Sequence, residues 1–85
     1  MEHEKVVLYP LSTEKSLRLM ESENTLVFAV HLKSKKPEIK TAIEKMFNAK
    51  VLGVNTHILA GEKRAYVRFS PDTPAIDIAT NMGLM

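Results

Sequence analysis

Arg64, Tyr66 and Arg68 alternate with Ala65, Val67 and Phe69, so an extended backbone puts two guanidinium groups and an aromatic ring on one side. Guanidinium groups pair with phosphates, and a tyrosine between them offers a face for base stacking. Lys63 stands just before this run, and Asn55 and Thr56 are polar side chains within an apolar stretch, suited to hydrogen bonds with ribose or bases. A second cationic group is formed by Lys33, Lys35, Lys36 and Lys40, which straddle the expected start of a helix whose free N–H groups also favour anions. A solvated face explains any one of these charges as well as a phosphate does. Their grouping is what points to a polyanion.

Catalytic patterns are scarce. His3, His31 and His57 are scattered and have no cysteine partners, so no metal site is expected. The three glycines form no phosphate loop, and no Gly-x-Ser-x-Gly elbow occurs. Glu14 and Lys15 are adjacent and could act as acid and base, yet a carboxylate at a helix start explains Glu14 more simply. The chain is expected to be no enzyme, with no catalytic residues, no cofactor and no small-molecule substrate. A ferredoxin-like enzyme and a protein–protein adaptor without RNA contact, using the acidic ends and the apolar residues of the first helix, are the alternatives.

Net charge is only +2, but its distribution is uneven. Residues 1–24 carry Lys5, Lys15 and Arg18 against Glu2, Glu4, Glu14, Glu21 and Glu23, and residues 70–85 add Asp72 and Asp77. Between these acidic ends, residues 31–50 hold six lysines against Glu38 and Glu44. Residues 61–70 add Lys63, Arg64 and Arg68 against Glu62. With 85 residues the expectation is a single domain, residues 1–85, small for an unaided core. Cysteine is absent, which fits a reducing, intracellular protein held by core packing or a partner. The apolar run Val6 to Leu8 is too short for a signal peptide or membrane span, so a soluble chain with no membrane partner is expected.

The elements that must position these residues alternate. Lys5 to Tyr9 reads as a strand stopped by Pro10, and Ser12 or Thr13 as the cap of a short helix to about Glu21, with Leu17 and Met20 facing the core. Asn24 ends the connection to a strand, Thr25 to Val30, apolar on both faces. Ile39, Ala42, Ile43, Met46 and Phe47 give the second helix one apolar stripe, with Ser34 as its cap, Pro37 in the first turn, and Lys36, Lys40 and Lys45 pointing away from the core. Val51 to Leu59 is the third strand, with Gly53 a bulge or a point of close approach. Ala60 to Lys63 turn a hairpin into the strand Arg64 to Phe69. Thr73 and Pro74 then open a terminal helix through Ile76, Ala79 and Met82 to Gly83, and Met20, Met46 and Met82 read as core filler. The fold class is α+β: a β-α-β-α-β-β-α sandwich on a four-stranded, mostly antiparallel sheet, distinct in order from the βαββαβ of RNA-recognition motifs.

Four blocks in this order carry a family resemblance. Pro10-Leu-Ser-Thr-Glu-Lys15 is similar to the Pro-x-x-(Thr/Ser)-Glu-Lys signature of the L-twenty-three family of large-subunit ribosomal proteins. Glu38-Ile-Lys-x-Ala-Ile-Glu-Lys-x-Phe47 resembles its central helix, Val54-Asn55-Thr56 the strand after it, and Lys63-Arg-Ala-Tyr-Val67 its last strand. The resemblance implies the same strand and helix order and a structural protein that binds large-subunit ribosomal RNA beside the exit of the nascent-chain tunnel. It implies Lys15 as an RNA-facing residue and Glu14 as a factor-docking residue. It also implies a neighbour of the L-twenty-nine type, a docking surface for the signal recognition particle, and a cytoplasmic, ribosome-bound location. Bacterial members carry a long basic hairpin extension for which Ala60 to Lys63 leave no room. The short loop and the Phe-Ser-Pro-Asp ending look like the archaeal form, so docking of trigger factor at Glu14 is not carried over.

Overall fold

The computed structural model describes residues 6–82. Readings made on His3, Lys5 and Gly83 lie outside them. The element order is β1 (Val7–Pro10), α1 (Glu14–Glu23), β2 (Thr25–Val30), α2 (Lys36–Phe47), β3 (Val51–Leu59), β4 (Glu62–Phe69) and α3 (Ala75–Asn81), the order the sequence predicts. The four strands form one sheet in the order β1-β2-β4-β3, and every neighbouring pair is antiparallel. Pro10 falls within β1, which is tolerated because β1 is an edge strand.

One face of the sheet carries Phe28, Val30, Ala65, Val67 and Phe69, all at most 2% exposed. Helix α2 covers it. Ile39, Ala42 and Ile43 are buried there, and Phe47 stacks on Phe28 with ring centroids 6.0 Å apart, a pairing worth about 0.5–1.5 kcal/mol beyond area burial. The stripe is shorter than its periodicity implies. Met46 is 46% exposed, so it is no core filler. Ser34 is not the cap either: Lys35 occupies that position, its N–H donates to the Glu38 carboxylate at 3.2 Å, and Ser34 is buried with its hydroxyl on the His31 carbonyl.

Helix α1 packs against β2, and all six β2 residues are buried, so the expectation of a strand covered on both faces holds. Thr13 is the N-cap, in a reciprocal pair with Ser16: the Ser16 N–H donates to Thr13 Oγ1 at 3.1 Å and the Thr13 N–H to Ser16 Oγ at 2.8 Å. That pair turns Ser16 inward. Ser16 and Met20 are therefore the buried residues of α1, whereas Leu17 is 38% exposed, contrary to the core role expected of it. The helix also runs to Glu23, past Glu21.

Leu59 and Glu62 pair directly, so the hairpin turn is only Ala60-Gly61, both at positive φ (52° and 79°), and β4 begins two residues before Arg64. A register shift between Val51 and Gly53 confirms the bulge. Nothing lies within 4 Å of a Cβ built on Gly53, so close approach within the chain is not its reason. Helix α3 starts at Ala75, not Pro74, and buries Ala75, Ile78 and Ala79 while Ile76 is 46% exposed. Its first N–H is capped from a distance by Asn24 Oδ1 at 2.6 Å. No helix among the described residues is long and apolar enough to cross a membrane.

Candidate nucleic-acid interface

Strand pairing sets which side chains share the second face of the sheet. Gly53 faces Arg68, Asn55 faces Tyr66 and His57 faces Arg64, while on the other side of β4 Thr25, Val27 and Ala29 face the same three. The alternation of β4 therefore separates Arg64, Tyr66 and Arg68 from the buried Ala65, Val67 and Phe69, as the sequence predicts.

Helix α1 rises beside this row. Lys15 Nζ lies 6.0 Å from the centroid of the Tyr66 ring, within range of a cation–π contact, which places α1 on the Tyr66 side of the sheet. Lys15, Leu19 and Glu23 are spaced by four and form one edge of α1. They make one wall of a groove of about 330 Å³ whose floor and far wall are Thr25, Asn55, Tyr66 and Arg68. Four residues singled out from the sequence, Lys15, Asn55, Tyr66 and Arg68, thus meet in one open trough. An aromatic face, two cations and an amide there suit an unstacked nucleotide. Arg64 continues the row; its Nε is buried, makes no hydrogen bond among the described residues, and lies 3.8 Å from a Glu62 carboxylate oxygen.

The other predicted residues lie elsewhere. Thr56 faces Ala65 and Lys63 faces Ile58, so both point to the opposite side of the sheet. The Lys63 ammonium donates to the Ser34 carbonyl, tying the end of β4 to the loop that leads into α2. Lys33, Lys35, Lys36 and Lys40 are exposed on that loop and the first turns of α2, the helix that covers the opposite face. The cations therefore form two groups separated by the sheet. Glu14 is exposed and pairs with Arg18 at 3.1 Å across one helical turn.

Leu19, Glu23 and Thr25 also line the groove and were not read as site residues. The signal for Leu19 and Glu23 was available in their spacing from Lys15. Thr25 is reached only through its strand register opposite Arg68. Among the described residues no cluster of three or more potential metal ligands occurs.

Two comparisons with known proteins bear on the chain as a whole. The family model for ribosomal protein L23 matches residues 5–80. The large ribosomal subunit protein uL23 of Tetrahymena thermophila is 45% identical over 86 aligned positions, which take in all of this chain and 57% of that relative. The chain thus spans a little over half the length of the relative it matches. With the strand and helix order, the signature blocks and the family match in agreement along nearly the whole sequence, the chain belongs to the ribosomal protein L23 family.

Proposed function

We propose that this chain is a structural constituent of the large ribosomal subunit that binds large-subunit ribosomal RNA near the nascent-peptide tunnel exit, in a cytoplasmic, ribosome-bound setting. The groove between α1 and the β3–β4 hairpin carries the reading, because it gathers Lys15, Asn55, Tyr66 and Arg68 from three separate elements. Tyr66 is the stacking face, Lys15 and Arg68 neutralise phosphates, and Asn55 offers both a donor and an acceptor. Arg64 continues the row along β4 as a further guanidinium on the same face as Tyr66 and Arg68. Lys33, Lys35, Lys36 and Lys40 supply a second phosphate-binding surface, with Lys63 bracing its loop.

The proposed setting includes a neighbouring protein of the L-twenty-nine family and a docking site for the signal recognition particle, with the exposed Glu14 as the docking residue. A protein–protein adaptor is the competing reading. An apolar recess at the hairpin end of the sheet, lined by Leu8, Tyr9, Val30 and Leu32 among others, is the observation in its favour.

Electrophoretic mobility shift with a folded large-subunit RNA fragment, across a salt series, separates the two. RNA binding requires log K to fall linearly with log salt, by roughly 0.7–0.9 per neutralised phosphate. Tyr66→Ala is expected to weaken binding by about 1–3 kcal/mol through lost stacking, and Tyr66→Phe to retain most of it. A chain that shows no shift at low salt is an adaptor, and one that binds RNA with an affinity indifferent to Tyr66→Ala does not use this groove.

A further inference from the structure

We infer that the groove between α1 and the β3–β4 hairpin accepts one unpaired guanine, read on its Watson–Crick edge by the Glu23 carboxylate while it stacks on Tyr66. The inference rests on the RNA-binding reading above and adds to it the identity of the base.

Glu23 is the residue that a groove built only for phosphate does not explain. A carboxylate repels phosphate, yet Glu23 stands in the same groove as Lys15 and Arg68. Its position is also unfavourable for α1. It occupies the last turn, where the helix dipole is negative, no basic residue stands there to offset it, and Glu21 adds a second acid. The ion pairs among the described residues are Arg18 with Glu14 and Arg64 with Glu62, and neither involves Glu23. Among the described residues this carboxylate makes no ion pair and no side-chain hydrogen bond, so its oxygens are free to accept from a ligand in the groove.

The chemistry of the carboxylate selects the ligand. Ionised, it is acceptor-only, with two oxygens in a fixed plane. Of the four RNA bases, guanine alone presents two adjacent donors on its Watson–Crick edge, N1–H and the exocyclic N2 amine. Adenine and cytosine each set one amine beside an acceptor nitrogen, which would face a carboxylate oxygen. Uracil sets one N–H between two carbonyls. Asn55, on the same face as Tyr66, supplies an amide donor for the guanine O6 or N7. The base must be unpaired, because pairing would occupy the edge that Glu23 reads, and RNA recognition by sequence generally uses such splayed bases. Lys15 over Tyr66 in the free protein then moves from the ring to a flanking phosphate.

The probes are uridine heptamers whose central base is guanine, adenine, cytosine, uracil or hypoxanthine, the last lacking the N2 amine. Anisotropy of labelled heptamers gives affinity with the full chain, and NMR shifts of the Tyr66 ring report occupancy of the groove. The guanine heptamer should bind about tenfold tighter than the adenine, cytosine and uracil ones, at the modest end of a bidentate base contact. Hypoxanthine should lose most of that preference. Glu23→Gln should abolish the preference for guanine over the other bases, with circular dichroism confirming the fold. Equal affinity for all five heptamers, or a preference that survives Glu23→Gln, overturns the guanine assignment and leaves RNA binding intact. Failure to bind any heptamer by a chain that still shifts folded large-subunit RNA overturns it too. Failure with that RNA as well overturns both readings.

Discussion

Ala60 holds a backbone conformation that its own side chain opposes. With φ at 52° it takes the first central position of a two-residue turn whose second position, Gly61 at 79°, also lies in the left-handed region. Both positive angles suit the right-handed twist of a β-hairpin, which is why such turns favour Asn-Gly. A non-glycine residue in this region costs roughly 1–2 kcal/mol, less for asparagine, whose short side chain bonds locally. Ala60 is exposed, so a larger polar side chain meets no packing barrier. Ala60→Asn should therefore raise stability by about 0.5–1 kcal/mol. For a domain of this size that is a rise of a few degrees in melting temperature, measurable by circular dichroism. Unchanged or lower melting would show that the turn is not strained. RNA affinity should be unaffected, because Ala60 lies outside the groove.

The joint between α1 and α3 depends on one side chain from neither helix body. Asn24 closes α1 in the left-handed conformation (φ 53°), its Nδ2 donates to the carbonyls of Phe69, Ser70 and Thr73 at 3.1–3.2 Å, and its Oδ1 receives the Ala75 N–H. Removing it leaves the Ala75 donor and three carbonyls without this partner. Asn24→Gly keeps the backbone geometry and should cost about 2–3 kcal/mol for the lost bonds and cap. Asn24→Ala should cost about 1 kcal/mol more, from the left-handed backbone. Urea denaturation of both variants checks the order; equal losses would mean that backbone strain is absent. The partners of Asn24 lie 45 to 51 residues away, which explains what the sequence could and could not disclose. It marked Asn24 as the end of a connection, because a left-handed asparagine is a local signal, but the long-range bonds leave no periodic trace. Patterns confined to one element read correctly: the two sides of β4, the bulge at Gly53 and the centre of the α2 stripe. Where tertiary context decided, they did not. Leu17 lost its core place to Ser16 because the capping pair with Thr13 set the rotation of α1, and Met46 and Ile76 fell where the sheet does not cover them.

At the scale of the molecule the sheet acts as a partition between two cationic surfaces. Lys15, Arg64 and Arg68 belong to the α1 side, while Lys33, Lys35, Lys36 and Lys40 flank the start of α2 on the other. A single patch would have one RNA strand neutralised by all of them, and losing one charge would alter the contacts of the rest. Two surfaces separated by a packed, four-stranded sheet share no side-chain partner, so on the proposed RNA-binding function they would engage different RNA segments and their contributions should be independent. Lys15→Gln with Arg68→Gln should lower the salt slope by about 1.4–1.8, and Lys33→Gln with Lys35→Gln and Lys36→Gln by about 2.1–2.7, at roughly 0.7–0.9 per phosphate contact. Combining all five should lower it by the sum, with binding free energies adding to within about 0.3–0.5 kcal/mol. The measurement is the salt-dependent mobility shift on one folded large-subunit RNA fragment. A five-fold variant no worse than either parent would show that both groups serve the same RNA segment. Additive losses instead make the protein a clamp between two RNA segments, a geometry in which core packing of Phe28, Phe47 and Val67 transmits no preference but fixes the distance between the two contacts.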